Sequence, residues 1–173
     1  MIIHSTDIKS ICSKIAPALD VNSYSVLTEV LQISVKNKIL TIAVTNKEYY
    51  VKVTYPFDDE ENDFNATVKA DLFIKLIDHI TTESIQFNID GNNLIIKGNG
   101  TYKLPLIYDN DKLLDVPEIT IQNVTNKFGI QSDILRSINT YNSKELVKGT
   151  ILKPVQNMYY IDDNGAITFT SGA

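Results

Sequence analysis

Three segments of this chain begin in the same way, and that repetition limits the fold more than any other feature. Ser5-Thr6-Asp7-Ile8-Lys9-Ser10-Ile11, Lys69-Ala70-Asp71-Leu72-Phe73-Ile74-Lys75-Leu76-Ile77 and Gln131-Ser132-Asp133-Ile134-Leu135-Arg136-Ser137-Ile138 each place a small or polar residue before an aspartate, then open an apolar series at helical spacing. A carboxylate in the first turn complements the positive end of the helix dipole and accepts from backbone N–H groups left free there, so all three read as helix starts. Each follows a short apolar run (Ile2-Ile3, Ala66 to Val68, Phe128 to Ile130) and precedes alternating segments that read as strands. One strand-helix-strands repeat is written three times. Such a repeat buries only one face of its helix and sheet, so two must combine to close a core.

In the first repeat, helical spacing puts Ile8, Ile11, Cys12 and Ile15 on one side and Lys9, Ser10, Ser13 and Lys14 on the other, with Pro17 ending the helix. Leu31, Ile33 and Val35 alternate with Gln32 and Ser34, and Lys36-Asn37-Lys38 turns the chain into Leu40, Ile42 and Val44, a hairpin with one wet face. Tyr49, Val51, Val53 and Tyr55 continue as a third strand. The second repeat has the same order: Leu72, Phe73, Leu76, Ile77 and Ile80 inward, Asp71, Lys75 and Asp78 outward, then Ile85 to Ile89, a turn at Asp90-Gly91-Asn92-Asn93, Leu94 and Ile96, and a strand through Tyr102, Leu104 and Leu106. Residues Tyr108 to Pro117 read as a connector with little periodicity. In the third repeat Ile134, Ile138 and Tyr141 form the expected buried side of the helix, Met158 and Tyr160 a strand, and Asp162-Asp163-Asn164-Gly165 a turn into Ile167 and Phe169. The expected organisation is one domain over residues 1–117 built from two repeats, and half of a second over 118–173. The third repeat is then part of a longer protein or is completed by another chain.

The formal charge of −5 argues against a surface that coats nucleic acid everywhere, though it allows one basic face on an acidic body. Asp58-Asp59-Glu60-Glu61-Asn62-Asp63 reads as a solvated acidic loop. No apolar run approaches the roughly 18 residues of a membrane span, and no signal-peptide pattern opens the chain, so cytoplasm is the expected compartment. One cysteine, Cys12, leaves no internal disulfide, and its place among apolar helix residues suits a core thiol. His4 and His79 are too few for a metal or nucleophile site. Gly98-Asn99-Gly100 is followed by a strand and not a helix, so it is no phosphate loop. No catalytic constellation and no cofactor motif emerges.

The segments Ile2 to Ile15, Thr67 to Ile77, Asn92 to Leu106 and Lys153 to Ile161 resemble the bacterial DNA polymerase III beta subunit family, the sliding clamps. "SYSVLTEVLQISVKNKILTIAVTN" is similar to the family's stretch leading into a hairpin, "NNLIIKGNGTYKLPL" to its closing hairpin, and "ILKPVQNMYYIDDNGAITFTSGA" to the strand-turn-strand after the helix of its second domain. The resemblance covers nearly the whole chain. It implies an α+β DNA clamp fold, with antiparallel sheets outside and the repeated helices on an inner concave side. It implies a processivity factor that encircles double-stranded DNA without reading sequence, self-associates into a ring, and tethers the replicative polymerase after placement by a clamp loader. It implies no enzymatic activity.

On this resemblance the outward residues Lys9, Lys14, Lys75 and Arg136 are candidates to face DNA. The basic cluster Lys144, Lys148 and Lys153 around Gly149 reads equally as a reach to phosphate or as a flexible basic loop, and Thr170, Gly172 and Ala173 sit where the family's peptide-binding pocket begins. A slider needs weak phosphate attraction without base contacts, which lysine supplies. Three positions depart from the family: Asn22 or a residue beside it stands where the family has a DNA-facing arginine, Asp78 where it has a basic residue late in the second helix, and Pro154-Val155 where it has an aromatic pair. These departures keep open a second reading, a clamp-shaped interaction protein or decoy, possibly viral, that does not load on DNA.

Overall fold

The first two repeats exchange their leading strands. In the computed structural model, which describes residues 1–19, 25–46, 50–57, 63–118, 129–142, 159–163 and 167–171, the first repeat runs β1 (Ile2–His4), α1 (Ser5–Ile15), β2 (Val30–Lys36), β3 (Ile39–Thr45) and β4 (Tyr50–Pro56). The second runs β5 (Phe64–Lys69), α2 (Ala70–His79), β6 (Ser84–Asp90), β7 (Asn93–Lys97) and β8 (Thr101–Pro105). β1 adds antiparallel to β6 of the other repeat and β5 adds antiparallel to β2, which makes two four-stranded sheets, β1-β6-β7-β8 and β4-β3-β2-β5. The registers correspond: Ile3 lies opposite Ile85 and His4 opposite Ser84, as Val68 lies opposite Leu31 and Lys69 opposite Val30. The first N–H of each helix donates to a glutamate carbonyl of the other repeat, Ser5 N to Glu83 O and Ala70 N to Glu29 O, both at 2.9 Å. Neither repeat is complete alone, because its leading strand has its hydrogen-bonding partner in the other.

Counted from the first helical residue, Asp7 is third in α1 while Asp71 is second in α2, so the two aspartates are one residue out of phase. The N-cap residues His4 and Lys69 make no side-chain cap bond. Asp7 instead accepts from Tyr55 Oη at 2.7 Å. The hydroxyl of Ser5, a buried residue, donates to the carbonyls of Thr82 and Glu83. The buried positions of the helices then coincide: Ile8 with Phe73, Cys12 with Ile77, and Ile15 with Ile80 just past the end of α2.

These side chains meet the inward alternate residues of both sheets, Leu31, Ile33, Val35, Leu40, Ile42 and Val44 on one and Ile85, Phe87, Leu94 and Ile96 on the other, in a single core. The Phe73 and Phe87 rings stack with centroids 6.1 Å apart. Leu72, expected inward, is exposed, since as the third helical residue it lies off the core-facing stripe. The β2–β3 turn places Asn37 and Lys38 at φ 51° and 62°, the paired left-handed conformation that suits the right-handed twist of a hairpin. Between β6 and β7 the residue with positive φ is Gly91, at 54°. Gly98 is required for a different reason: a Cβ there would stand 2.7 Å from Cγ2 of Ile80.

The connector proves more ordered than its sequence suggests. β9 (Tyr108–Asp109) and β10 (Lys112–Leu113) form a small hairpin around Asn110 and Asp111, at φ 47° and 63°. Ile107 N donates to Thr67 O at 2.8 Å, and Thr67 Oγ1 donates to Leu114 O at 2.5 Å, which satisfies the hydroxyl of a fully buried threonine. Val116 packs with Val30 and Ala43. The face of the β2–β3 hairpin expected to be wet is therefore partly covered. The apolar pair Leu114 and Val116 is too short a run to announce itself by periodicity.

The chain divides into two compact units, Met1–Thr120 and Ile121–Ala173. The second contains α3 (Ser132–Asn142) and an antiparallel pair, β11 (Tyr159–Asp163) with β12 (Ile167–Ser171), in which Ile161 lies opposite Phe169. Ile134, expected to be buried, is exposed and Ile138 is half-buried. Met158, Asn164 and Gly165 lie outside the described residues, as do the Tyr49 start of β4, the acidic run 58–62 and the side chain of Tyr141.

Candidate nucleic-acid interface

Burial of Ile8, Ile11, Cys12 and Ile15 on α1 and of Phe73 and Ile77 on α2 fixes what the two helices, which pack on each other, present outward. Exposed on α1 are Thr6, Ser10, Ser13 and Lys14. On α2 the exposed residues are Asp71, Leu72, Lys75, Asp78 and His79. Lys14 and Lys75, both proposed from the sequence, are thus solvent-facing. Lys75 lies 3.6 Å from Asp71, one helical turn away, an exposed pair of small energetic weight whose carboxylate offsets part of the attraction Lys75 offers an anion.

Lys9 differs from both. It is half-buried, and its Nζ donates to the carbonyls of Ile80 at 2.8 Å and Asp78 at 3.2 Å, at the end of α2. Carbonyls of a last helical turn lack intrahelical donors and carry the negative end of the dipole, so an ammonium there is doubly favourable. Asn99 Nδ2 donates at 3.4 Å to His79 O beside it. The sequence named Lys9 as outward but gave no sign that α2 would end within its reach.

Arg136 is exposed on α3 in the second unit, with the hydroxyl of Ser137 turned back to Asp133 O at 3.0 Å. Lys144, Lys148 and Lys153 lie outside the described residues, as do Gly172, Ala173 and the departure sites Asn22, Pro154 and Val155. Thr170 lies in β12 opposite Tyr160. The structure brings Lys9, Lys14 and Lys75 onto one helix pair.

Across the fully exposed positions of that pair, two ammonium groups (Lys14, Lys75) face two carboxylates (Asp71, Asp78), so the surface is balanced and not strongly basic. The Asp71–Lys75 spacing of four was visible in the sequence and carries this part of the answer. Hydroxyls of Thr6, Ser10 and Ser13 line the same face, and Ser13 Oγ donates to Ser10 O at 2.8 Å. Such a face offers a polyanion weak, sequence-independent contact. Cys12 lies beneath it, its thiol pushed up to about 12 by burial and then by the charge of Asp78, which leaves it neutral and unreactive at ordinary pH. Among the described residues no three His, Cys, Asp or Glu side chains are placed to hold a metal. No helix there is long and apolar enough to cross a membrane.

Residues 5–115 match the sequence pattern of the family described as DNA polymerase III beta subunit, N-terminal domain. Among solved structures, the DNA polymerase III subunit beta from Pseudomonas aeruginosa superimposes with a TM-score of 0.85 at 15% identity, covering 99% of this chain and 46% of that one. The beta subunit from Thermotoga maritima gives 0.68 at 19% identity over 79% of this chain and 36% of its own. The Helicobacter pylori beta clamp bound to a DNA ligase peptide gives 0.62 at 18% identity over 71% and 34%. No curated protein matches the chain. The chain spans between a third and a half of each of these three structures. At these identities the superpositions establish a shared α+β fold.

Proposed function

Because this chain belongs to the DNA polymerase III beta subunit family, we propose that it acts as a sliding clamp, or as the N-terminal part of one, that encircles duplex DNA and tethers the replicative polymerase. The observation that carries this reading is the exchanged pair of repeats over the family's own region: it packs α1 and α2 against each other and leaves Thr6, Ser10, Ser13, Lys14 and Lys75 exposed on them, beside Asp71 and Asp78. Lys14 and Lys75 supply phosphate attraction in the first unit and Arg136 in the second, with Lys144, Lys148 and Lys153 adding to it. Lys9 contributes field and not direct contact, since α2 already holds its ammonium. Near-neutral balance suits a protein retained by topology, because tight phosphate contact would resist sliding. Residues 1–117 form the first clamp domain and 118–173 the first half of a second, where Thr170, Gly172 and Ala173 open the pocket for polymerase and loader peptides. A ligase peptide occupies the Helicobacter pylori relative, which supports a peptide-binding role here. The protein works in the cytoplasm as a ring of self-associated copies and is no enzyme.

The test is topological. The protein is placed on nicked circular duplex DNA by a clamp loader, isolated by gel filtration, and the circle is then cut. Retention on the circle and loss on linearisation is the expected result; equally weak retention on both forms overturns encirclement.

One observation favours a second reading. Asp71 and Asp78 cancel Lys14 and Lys75 on the exposed helix face, which suits a clamp-shaped interaction or decoy protein. That protein would bind clamp partners yet fail to stay on the circle at any salt concentration.

A further inference from the structure

Asn99 stands between two glycines in the turn from β7 to β8, with its side-chain amide next to a backbone nitrogen that has no acceptor. Gly98 N closes the turn by donating to Gly100 O at 2.9 Å, whereas Gly100 N donates to no group among the described residues. Asn99 itself is exposed. Its carboxamide makes two long contacts: Nδ2 donates to His79 O at 3.4 Å, and Oδ1 accepts from Tyr102 Oη at 3.2 Å. A Cβ at residue 100 would stand 3.1 Å from that same hydroxyl, so the phenol lies over Gly100 where a side chain would crowd it. An amide carbon, a free nitrogen one residue on, and a hydroxyl already donating to the amide oxygen are the parts of an acyl-transfer site: electrophile, nucleophile, and a donor where negative charge develops.

We infer that Asn99-Gly100 is a site of self-modification, at which Gly100 N attacks Cγ of Asn99 while Tyr102 Oη steadies the carbonyl oxygen. The bond from Gly100 N to Cγ forms, the proton of that nitrogen passes through solvent to Nδ2, and Nδ2 leaves as ammonia. What remains is a five-membered succinimide. Water then adds to one of its two carbonyls: breaking the new bond leaves aspartate at position 99, and breaking the main-chain bond leaves isoaspartate, with the chain running through the side-chain carbon. Water is the one co-reactant. Either product carries a carboxylate in place of the donor to His79 O, beside the last carbonyls of α2, where the dipole is negative and Lys9 already holds the carbonyls of Asp78 and Ile80. The step therefore adds a negative charge and removes a tie at that helix end. It goes beyond the clamp reading and does not rest on it.

The full 173-residue chain, held for days at physiological temperature in mildly alkaline buffer and mapped by peptide mass spectrometry, tests this. Conversion of the amide at position 99 to acid is expected, with isoaspartate there detected by an isoaspartyl methyltransferase. Tyr102→Phe should slow the conversion roughly 3- to 10-fold, the worth of one neutral hydrogen bond. Asn164-Gly165 carries the same dipeptide and serves as the reference within each sample, since Tyr102→Phe should leave its rate unchanged. Circular dichroism must match the unsubstituted chain. As a second variant, Asn99→Gln keeps an amide but cannot close a five-membered ring, so it should stay unmodified with Tyr102 intact. Four results overturn the inference: no acid at position 99, acid there without isoaspartate, equal conversion in Asn99→Gln, or a Tyr102→Phe rate that is unchanged, raised, or lowered to the same degree at position 164.

Discussion

Tyr55 Oη donates to Asp7 Oδ2 at 2.7 Å, joining the end of β4 to the first turn of α1. The corresponding junction in the second repeat is apolar. There the third helical residue is Leu72 and the residue before the strand-ending proline is Leu104, where the first repeat has Asp7 and Tyr55-Pro56, and the two leucines line one small pocket with Lys69, Pro105 and Ile107. The same joint is made once by a charge-assisted hydrogen bond and once by packing.

Tyr55→Phe should therefore lower the stability of the first unit by about 1 kcal/mol, the worth of a part-buried hydrogen bond to a carboxylate. The double change Asp7→Leu with Tyr55→Leu, which copies the second repeat, should cost less than the sum of the single changes. Urea unfolding of the four proteins measures the coupling, and strict additivity would show that the bond contributes nothing.

Lys9 and Lys14 stand on one helix and should separate cleanly. Lys9→Met removes the donor to the Asp78 and Ile80 carbonyls and should cost about 1 kcal/mol of stability. Lys14→Met, at an exposed site, should stay within about 0.5 kcal/mol. On loaded DNA the order reverses: Lys14→Met lowers the dependence of retention on salt, and Lys9→Met changes it little. Equal loss of stability in both variants would remove the distinction.

Gly98→Ala should destabilise the first unit by about 1–3 kcal/mol, because the added methyl meets Ile80 Cγ2, a buried side chain that cannot swing away. Gly98 does not have positive φ, so the cost is steric. Thermal unfolding of this variant, beside a Gly91→Ala variant whose Cβ meets no atom within 4 Å but whose φ is 54°, tells crowding from backbone strain.

The Cys12 thiol titrates near pH 9 in the unfolded chain and at about 12 in the folded one, so the unfolded state loses its proton first. Stability from this group is complete below pH 9 and falls as pH rises from about 9 to 12, by up to roughly 1.4 kcal/mol per pH unit. Cys12→Ala should flatten that part of the stability curve. A thiol reagent at pH 8 should label Cys12 only as the protein unfolds; labelling at the rate of a free thiol would contradict the burial.

Periodicity marked Ile8, Ile11, Cys12 and Ile15 as one buried stripe and Lys14 and Lys75 as outward, because the 3.6-residue repeat sorts a helix surface without reference to the rest of the chain. It misjudged Leu72, whose apolar character suggested burial, and Ile134 for the same reason. Position along the helix decided both. The aspartates looked equivalent by adjacency to an apolar residue, yet Asp7 and Asp71 differ by one residue once β1 and β5 fix where each helix starts.

What the sequence by itself determined was the repeat: three helix starts, the strands between them, their turns at Asn37 and Gly91, and the apolar stripes, all of which depend on residues a few positions apart. Which repeat lends its strand to which, that Lys9 meets the end of α2, and that Asp7 meets Tyr55 were decided only by tertiary structure. Those contacts join residues 29 to 84 positions apart, from Val35 opposite Phe64 to Ile2 opposite Gln86. Local spacing carries no information about partners at that separation; burial of the shared core selects them.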